Sequence, residues 1–119
     1  MHKYLVYGTY GWLTFGGTMH LIIDVISGYL RGKRPPGPET TLFYGMHTAY
    51  GLGQMLVGLL GLIVARNAMQ VFGQWPALAF GIVAATVWLI FGFIFIEFWE
   101  PKVIAGLFLA LAIACAVVA

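Results

Sequence analysis

Residues 16–27 read GGTMHLIIDVIS, and within this apolar stretch His20 and Asp24 are four residues apart. Residues i and i+4 of a helix lie on the same face, one turn apart, so we expect both side chains to point the same way. An ionisable side chain inside hydrocarbon is costly and is usually paired, hydrated or functional. The stretch therefore predicts a polar centre in an apolar helix, and the rest of the chain is expected to supply its neighbours.

The composition indicates what surrounds this centre. Hydrophobic residues make up 61% of the 119 residues and charged residues only 8%. A soluble domain of this size has too little interior to hide that much apolar surface, so a lipid bilayer is the expected environment. The net charge of +2 gives no indication of nucleic-acid binding. The single cysteine, Cys115, excludes a disulfide framework or a thiolate metal cage within one chain.

Four apolar segments predict one domain, an all-α, integral membrane, antiparallel four-transmembrane-helix bundle. The expected spans are residues 4–30, 41–65, 76–99 and 103–119. No small-residue cleavage site precedes a soluble chain, so we expect the first segment to stay in place rather than to act as a signal peptide. Small residues recur every four positions in the second span and predict a packing ridge, apart from its polar face: Gly45, Ala49, Gly53, Val57 and Gly61.

In this topology the polar side chains of three spans collect in one half of the bundle, on the side of the loop 31–40. The candidate catalytic residues are His20, Asp24, His47 and Glu97; the candidate substrate-binding residues are Tyr50, Gln54, Phe93 and Trp99. A carboxylate beside an imidazole fixes the tautomer of the ring, and a histidine so held suits proton transfer near neutral pH. The alternative is a hydrogen-bonded pair that only joins two helices.

The histidines also raise the question of a cofactor. Two histidines with nearby carboxylates resemble the inventory of a carboxylate-bridged metal site, but the Glu-x-x-His pairs of that class are missing, so no metal is expected. A haem or chlorin held by His20 and His47 is kept as the cofactor alternative.

The distribution of cations predicts an orientation. Four cations lie on the side of the loop 31–40 and two on the other: Arg31, Lys33, Arg34 and Lys102 against Lys3 and Arg66. The positive-inside rule then places that loop in the cytoplasm and both termini outside it. The expected location is a bacterial inner membrane or the endoplasmic reticulum.

The segment His20-Leu21-Ile22-Ile23-Asp24 resembles the His-Leu-x-Ile-Glu segment of the EXPERA-type membrane fold, which includes the emopamil-binding sterol isomerases and the related sigma receptor. Met46-His47-Thr48 falls where the isomerases carry an acidic residue after a methionine. Asp24 stands in place of a glutamate and His47 in place of an acid. The resemblance implies a lipid-facing cavity in which His20 and Asp24 move a proton on an alkene through a carbocation.

Two functions follow as expectations. The first is a small membrane enzyme that performs acid/base chemistry, an isomerisation, cyclisation or hydration, on an apolar or lipid-like molecule. The second is a non-catalytic subunit, or a ligand or cofactor binder, within a larger membrane complex or a homo-oligomer. The expected partners are the bilayer and an apolar small molecule, with no nucleic acid.

Overall fold

A computed structural model describes all 119 residues, and it is an all-helical bundle without strands. Its four long helices are α1 (His2–Leu30), α2 (Pro38–Ala68), α3 (Trp75–Phe95) and α4 (Glu100–Val118). A short 3₁₀ segment, Met69–Gly73, continues α2. All four helices are long and apolar enough to cross a membrane. The expected helical class and the number of candidate spans are therefore confirmed.

The helix ends differ from the expected spans because prolines start helices here. Pro38 and Pro101 both occupy the first turn of a helix, where a missing N–H costs nothing. As a result α2 begins three residues before the expected position, and Pro101 opens α4 where a break was expected. The third helix ends at Phe95, and Ile96 is already extended, so residues 96–99 connect α3 to α4.

Helix α1 is the centre of the bundle, with α2 packed on one side and α4 on the other. Two adjacent glycines allow this double contact. A Cβ on Gly17 would lie 2.6 Å from both the Gly51 carbonyl oxygen and the Met55 nitrogen of α2. A Cβ on Gly16 would collide with the Ile104 side chain of α4. The Gly-Gly pair thus lets α1 approach two neighbours at the same level.

The packing face of α2 differs from the predicted ridge. Gly51, Gly58 and Gly61 contact α1, whereas no atom lies within 4 Å of a Cβ placed on Gly45 or Gly53. Within the chain these two positions are not packing positions, because a strict four-residue repeat drifts about 40° around a helix at each step. The glycines that pack share their face with the polar residues of α2: His47, Tyr50 and Gln54 are buried there as well.

The half of the bundle away from the polar residues is held by aromatic packing around Tyr10. Its ring lies 5.0 Å from that of Phe72 and 5.9 Å from that of Phe108, so it joins α1 to the end of α2 and to α4. The indole N–H of Trp12 donates to the Ile104 carbonyl at 3.0 Å. These contacts fix the position of α1 and thereby of the histidine that it carries.

The glycine contacts generate a stability prediction. We expect Gly17→Ala to lower the free energy of unfolding by about 1–3 kcal/mol, because the added methyl group meets backbone atoms of α2 that have no room to move. Gly11→Ala is the matched control in the same helix, since a Cβ there meets nothing within 4 Å. That variant should be neutral or slightly stabilised.

Unfolding midpoints in detergent, followed by circular dichroism, measure both variants. Equal midpoints for Gly17→Ala and Gly11→Ala would show that α1 and α2 are not in this close contact.

Candidate functional site

The centre predicted from His20 and Asp24 lies where α1 changes its geometry. Residues Leu21–Ile26 form a π-helical turn, and the Ser27 N–H points to the Ile22 carbonyl five residues earlier. A π turn displaces the residues after it around the helix axis, and such turns recur at functional sites. Asp24 belongs to this turn, so the π segment sets where its carboxylate lies.

His20 and Asp24 form a close pair, as the spacing predicts. The Oδ2 atom of Asp24 lies 2.7 Å from Nδ1 of His20. The oxygen approaches outside the line of the ring N–H bond, so the contact is electrostatic more than a directed hydrogen bond. His20 is 3% exposed, whereas the Asp24 side chain is 18% exposed. The carboxylate therefore connects a buried ring to the surface of the bundle.

His47 extends the pair into a chain of three residues. Its Nδ1 atom lies 3.1 Å from Nε2 of His20, and the two rings are stacked with centroids 5.1 Å apart. His47 is 1% exposed. Asp24, His20 and His47 thus form a continuous polar chain that runs from the edge of α1 into the α1–α2 interface.

The contacts assign the ring protons when both rings are neutral. A carboxylate oxygen 2.7 Å from Nδ1 of His20 requires a proton on that nitrogen, which leaves Nε2 of His20 as an acceptor. Nδ1 of His47 must then donate to it, and Nε2 of His47 keeps the free lone pair. The row of three side chains therefore has a basic nitrogen at one end, on His47, and a carboxylate at the other, on Asp24.

Aromatic rings enclose the two imidazoles. The ring centroids of Phe43 and Phe98 lie 4.2 Å and 5.7 Å from that of His47, and Tyr50 packs edge-on against His20 at 5.4 Å. Phe91 of α3 in turn stacks on Tyr50 at 5.5 Å. These rings keep water away from the imidazoles and so strengthen the electrostatic contacts within the chain.

A pocket of about 440 Å³ opens beside Asp24, and we call it the polar mouth; Asp24, Lys33, Arg34, Phe43, Glu97 and Phe98 are among its lining residues. The guanidinium carbon of Arg34 lies 3.6 Å from the centre of the Phe43 ring, and its Nη2 donates to Glu97 at 3.1 Å. Arg34 therefore covers the ring that covers His47. The sequence did not single out Arg34 or Phe43 as site residues, because only the tertiary fold brings them to the histidines.

Three of the predicted site residues are not brought to the imidazoles. Glu97 pairs with Arg34 at the polar mouth, its side chain 61% exposed, and does not join the buried chain. Phe93 and Trp99 are each 67% exposed and face outward. Glu97 and Trp99 follow the end of α3 at Phe95, so they do not continue the helical face on which the prediction placed them. Phe93 lies inside α3, on a face that the other helices leave uncovered. Roles for these three in catalysis or binding stay predictions without a supporting contact.

Tyr50 and Gln54 lie at the site, and each has a buried polar atom without a hydrogen-bond partner. They are 5% and 1% exposed, and neither the Tyr50 hydroxyl nor the Gln54 Nε2 atom has a hydrogen-bond partner. Buried polar atoms are rarely left unpaired, because each costs about 1–3 kcal/mol. The residues that carry these two atoms are one helical turn apart on α2.

The geometry of the histidines bears on the cofactor expectations. No group of three or more His, Cys, Asp or Glu side chains is arranged to hold a metal ion. A haem between His20 and His47 would need the ring nitrogens on opposite sides of its iron, whereas here the facing nitrogens are in direct contact. The arrangement of this pair gives the haem alternative no support.

Comparison with protein-family models, curated proteins and solved structures finds no match for this chain. The resemblance to the EXPERA-type fold accordingly stays an expectation that rests on the quoted residues.

The proton assignment predicts a spectroscopic signature. In ¹⁵N-histidine-labelled protein at a pH where both rings are neutral, we expect His20 and His47 to carry their protons on Nδ1. A scalar coupling should join Nδ1 of His47 to Nε2 of His20 across the hydrogen bond. His2, which does not belong to the group of Asp24, His20 and His47, is the internal control. A proton on Nε2 of His20 in the unmodified protein would contradict the assignment.

Removing the charge of Asp24 and removing that of Glu97 should affect the stability of the protein unequally. We expect Asp24→Asn to lower the free energy of unfolding by about 1–3 kcal/mol, because it removes the negative charge beside a buried ring nitrogen. Glu97→Gln should cost less than about 1 kcal/mol, because its pair with Arg34 is exposed to solvent. Chemical denaturation in detergent measures both, and a larger loss for Glu97→Gln would contradict this ranking.

Proposed function

We propose that this chain is an integral membrane enzyme that uses Asp24, His20 and His47 for acid/base chemistry on an apolar or lipid-like molecule. The reaction class is a proton-transfer isomerisation, a cyclisation or a hydration. The observation that carries the proposal is the buried chain of three ionisable side chains, with contacts of 2.7 Å and 3.1 Å.

Asp24, His20 and His47 together supply a base, Nε2 of His47. The positive charge that the base acquires is stabilised on His20, beside Asp24. When Nε2 of His47 accepts a proton from a substrate, the proton on Nδ1 of His47 passes to Nε2 of His20. The positive charge then resides on His20, beside the Asp24 carboxylate. The reverse sequence returns a proton to the substrate. The same residues therefore act as base and acid without a net change.

The surroundings fit an apolar substrate. Aromatic rings enclose the imidazoles, and large apolar side chains cover the outward faces of all four helices. A bilayer would solvate those outward side chains, and the four helices would then cross it in alternating directions. In this arrangement the polar mouth lies at the membrane surface and the imidazoles lie below it.

The orientation follows the cations. Arg31, Lys33 and Arg34 belong to the connection that forms the polar mouth, so we place the mouth at the cytoplasmic face and both termini on the opposite face. A bacterial inner membrane or the endoplasmic reticulum meets this description.

A non-catalytic membrane subunit is the second candidate, and the outward glycines of α2 favour it. Gly45 and Gly53 touch nothing within the chain and leave a surface on which another helix could approach closely. In that case His20 and Asp24 would serve stability or assembly alone. Bound haem or chlorin would appear as an intense visible absorption band of the purified protein.

Solvent deuterium provides a test that works before the substrate has been identified. The protein, reconstituted in nanodiscs with the total lipid extract of its host, is incubated in D₂O, and the lipids are analysed by mass spectrometry. Proton transfer to carbon should place deuterium on a carbon of at least one lipid class. We expect His47→Ala and His20→Ala each to reduce the rate at least about 100-fold, because the first removes the general base and the second removes the ring that takes over its proton. Asp24→Asn should reduce it by a smaller factor.

His2→Ala and Glu39→Gln are the matched controls, since each removes the same type of group at a position outside the chain of three. Both should exchange at the unmodified rate. Exchange equal to that of empty nanodiscs, or unchanged exchange in a folded His20→Ala variant, would contradict the enzymatic proposal.

A further inference from the structure

The unpaired atoms of Tyr50 and Gln54 indicate what chemical group the ligand carries. An amide Nε2 can only donate a hydrogen bond, and a phenolic hydroxyl donates readily. Two donors without acceptors, at side chains 5% and 1% exposed and one turn apart, form a site for a single acceptor oxygen.

The opposite wall of this site is backbone. Gly92 of α3 faces Tyr50, and a Cβ on Gly92 would lie 3.7 Å from the Tyr50 hydroxyl oxygen. The phenol therefore extends from α2 across to α3 and carries its donor into the seam between these helices. Phe91, which precedes Gly92, stacks on the same phenol ring and fixes its orientation.

An apolar cleft lies farther along α2, and neither donor is among its lining residues. It has a volume of about 190 Å³, and its lining includes Val57, Leu60, Val64, Phe72 and Phe80. Val57 follows Gln54 by three residues, so the cleft begins about one helical turn from the amide. Leu60 and Phe80 are 60% and 56% exposed, which means that the cleft opens to the outside of the bundle. His47, the two donors and the first lining residue of the cleft thus follow one another along α2.

We propose that the ligand of this site is a lipophilic carbonyl compound, whose oxygen accepts hydrogen bonds from Tyr50 and Gln54 while its hydrocarbon tail lies in the α2–α3 cleft. The proposal rests on the proposed function for its chemistry and narrows the substrate to carbon acids. Its binding part stands on the donors and the cleft alone.

The resulting reaction is an enolisation, and it balances without a further reactant. A C–H bond beside the carbonyl breaks, its proton goes to the histidine pair, and its electron pair forms the C=C bond of an enolate. The negative charge collects on the oxygen, where the two donors stabilise it. A proton then returns from the histidine pair to carbon, at the original or at a conjugated position.

Infrared spectroscopy tests the binding part. The probe is 2-undecanone with a ¹³C-labelled carbonyl, added to the protein in phosphatidylcholine nanodiscs. A carbonyl that accepts two hydrogen bonds should show a C=O stretch at lower frequency than the same ketone in empty nanodiscs. Tyr50→Phe should weaken binding about tenfold, as the loss of one buried hydrogen bond implies, and should restore part of the frequency. Tyr44→Phe is the control, a tyrosine of the same helix near the polar mouth.

A second variant probes the tail without touching a polar group. Leu60→Trp fills the cleft from an exposed position and should also weaken ketone binding about tenfold in a protein that remains folded. An unshifted carbonyl band in the unmodified protein, or binding that neither Tyr50→Phe nor Leu60→Trp weakens, would overturn the proposal. Added undecane should compete for the cleft and weaken the shifted band. A shifted band that undecane leaves unchanged would also overturn the proposal, since the shift would then arise elsewhere.

Deuterium exchange of the same ketone separates this inference from the proposed function. Two results together support both the carbonyl site and the acid/base function. The shifted C=O stretch should persist in His20→Ala, and deuterium should enter beside the carbonyl only in proteins that retain His20. Exchange in hydrocarbon lipids together with an unshifted ketone overturns the carbonyl inference and leaves the acid/base enzyme standing. If the C=O stretch of the ketone is shifted but deuterium enters beside the carbonyl no faster than in empty nanodiscs, the binding site is supported and the enzymatic role is contradicted.

Discussion

The close contact of α1 with two other helices at Gly16 and Gly17 is the constraint on which the rest of the structure depends. A side chain at either position would separate α1 from α2 or from α4. His20 lies one turn beyond this contact, so the distance between its ring and that of His47 follows from how closely the backbones approach. The glycines therefore position the imidazoles, although they touch no polar atom of the site.

The π turn performs the complementary task on the other side of His20. A regular helix would also place Asp24 on the face of His20, which is why the sequence alone predicts the pair. What the π geometry adds is the position of the carboxylate at the edge of the bundle, where it lines the polar mouth. Close packing before His20 and a widened turn after it together bury the ring and keep its partner accessible.

The sequence predicted those features that depend on local spacing and composition. The pair of His20 and Asp24 and the number of apolar helices follow from periodicity and hydropathy. The position of Arg34 over Phe43 could not be predicted, because it depends on the path of a connection between helices. The outward placement of Trp99 was missed since nothing in an apolar run shows where α3 stops. That of Phe93 was missed because the sequence does not show which face of α3 the other helices cover. The packing face of α2 was misassigned because glycines at several spacings fit several faces.

The contacts of α1 also have a consequence for the order in which the protein is assembled. The imidazole pair needs only the first two helices, which leave the ribosome first. The hydrogen bond from Trp12 to Ile104 and the ring of Phe98 over His47 involve the last third of the chain. During synthesis the two histidines thus meet before their aromatic enclosure is complete. The connection between α3 and α4, which carries Phe98, is the part of the chain that completes it.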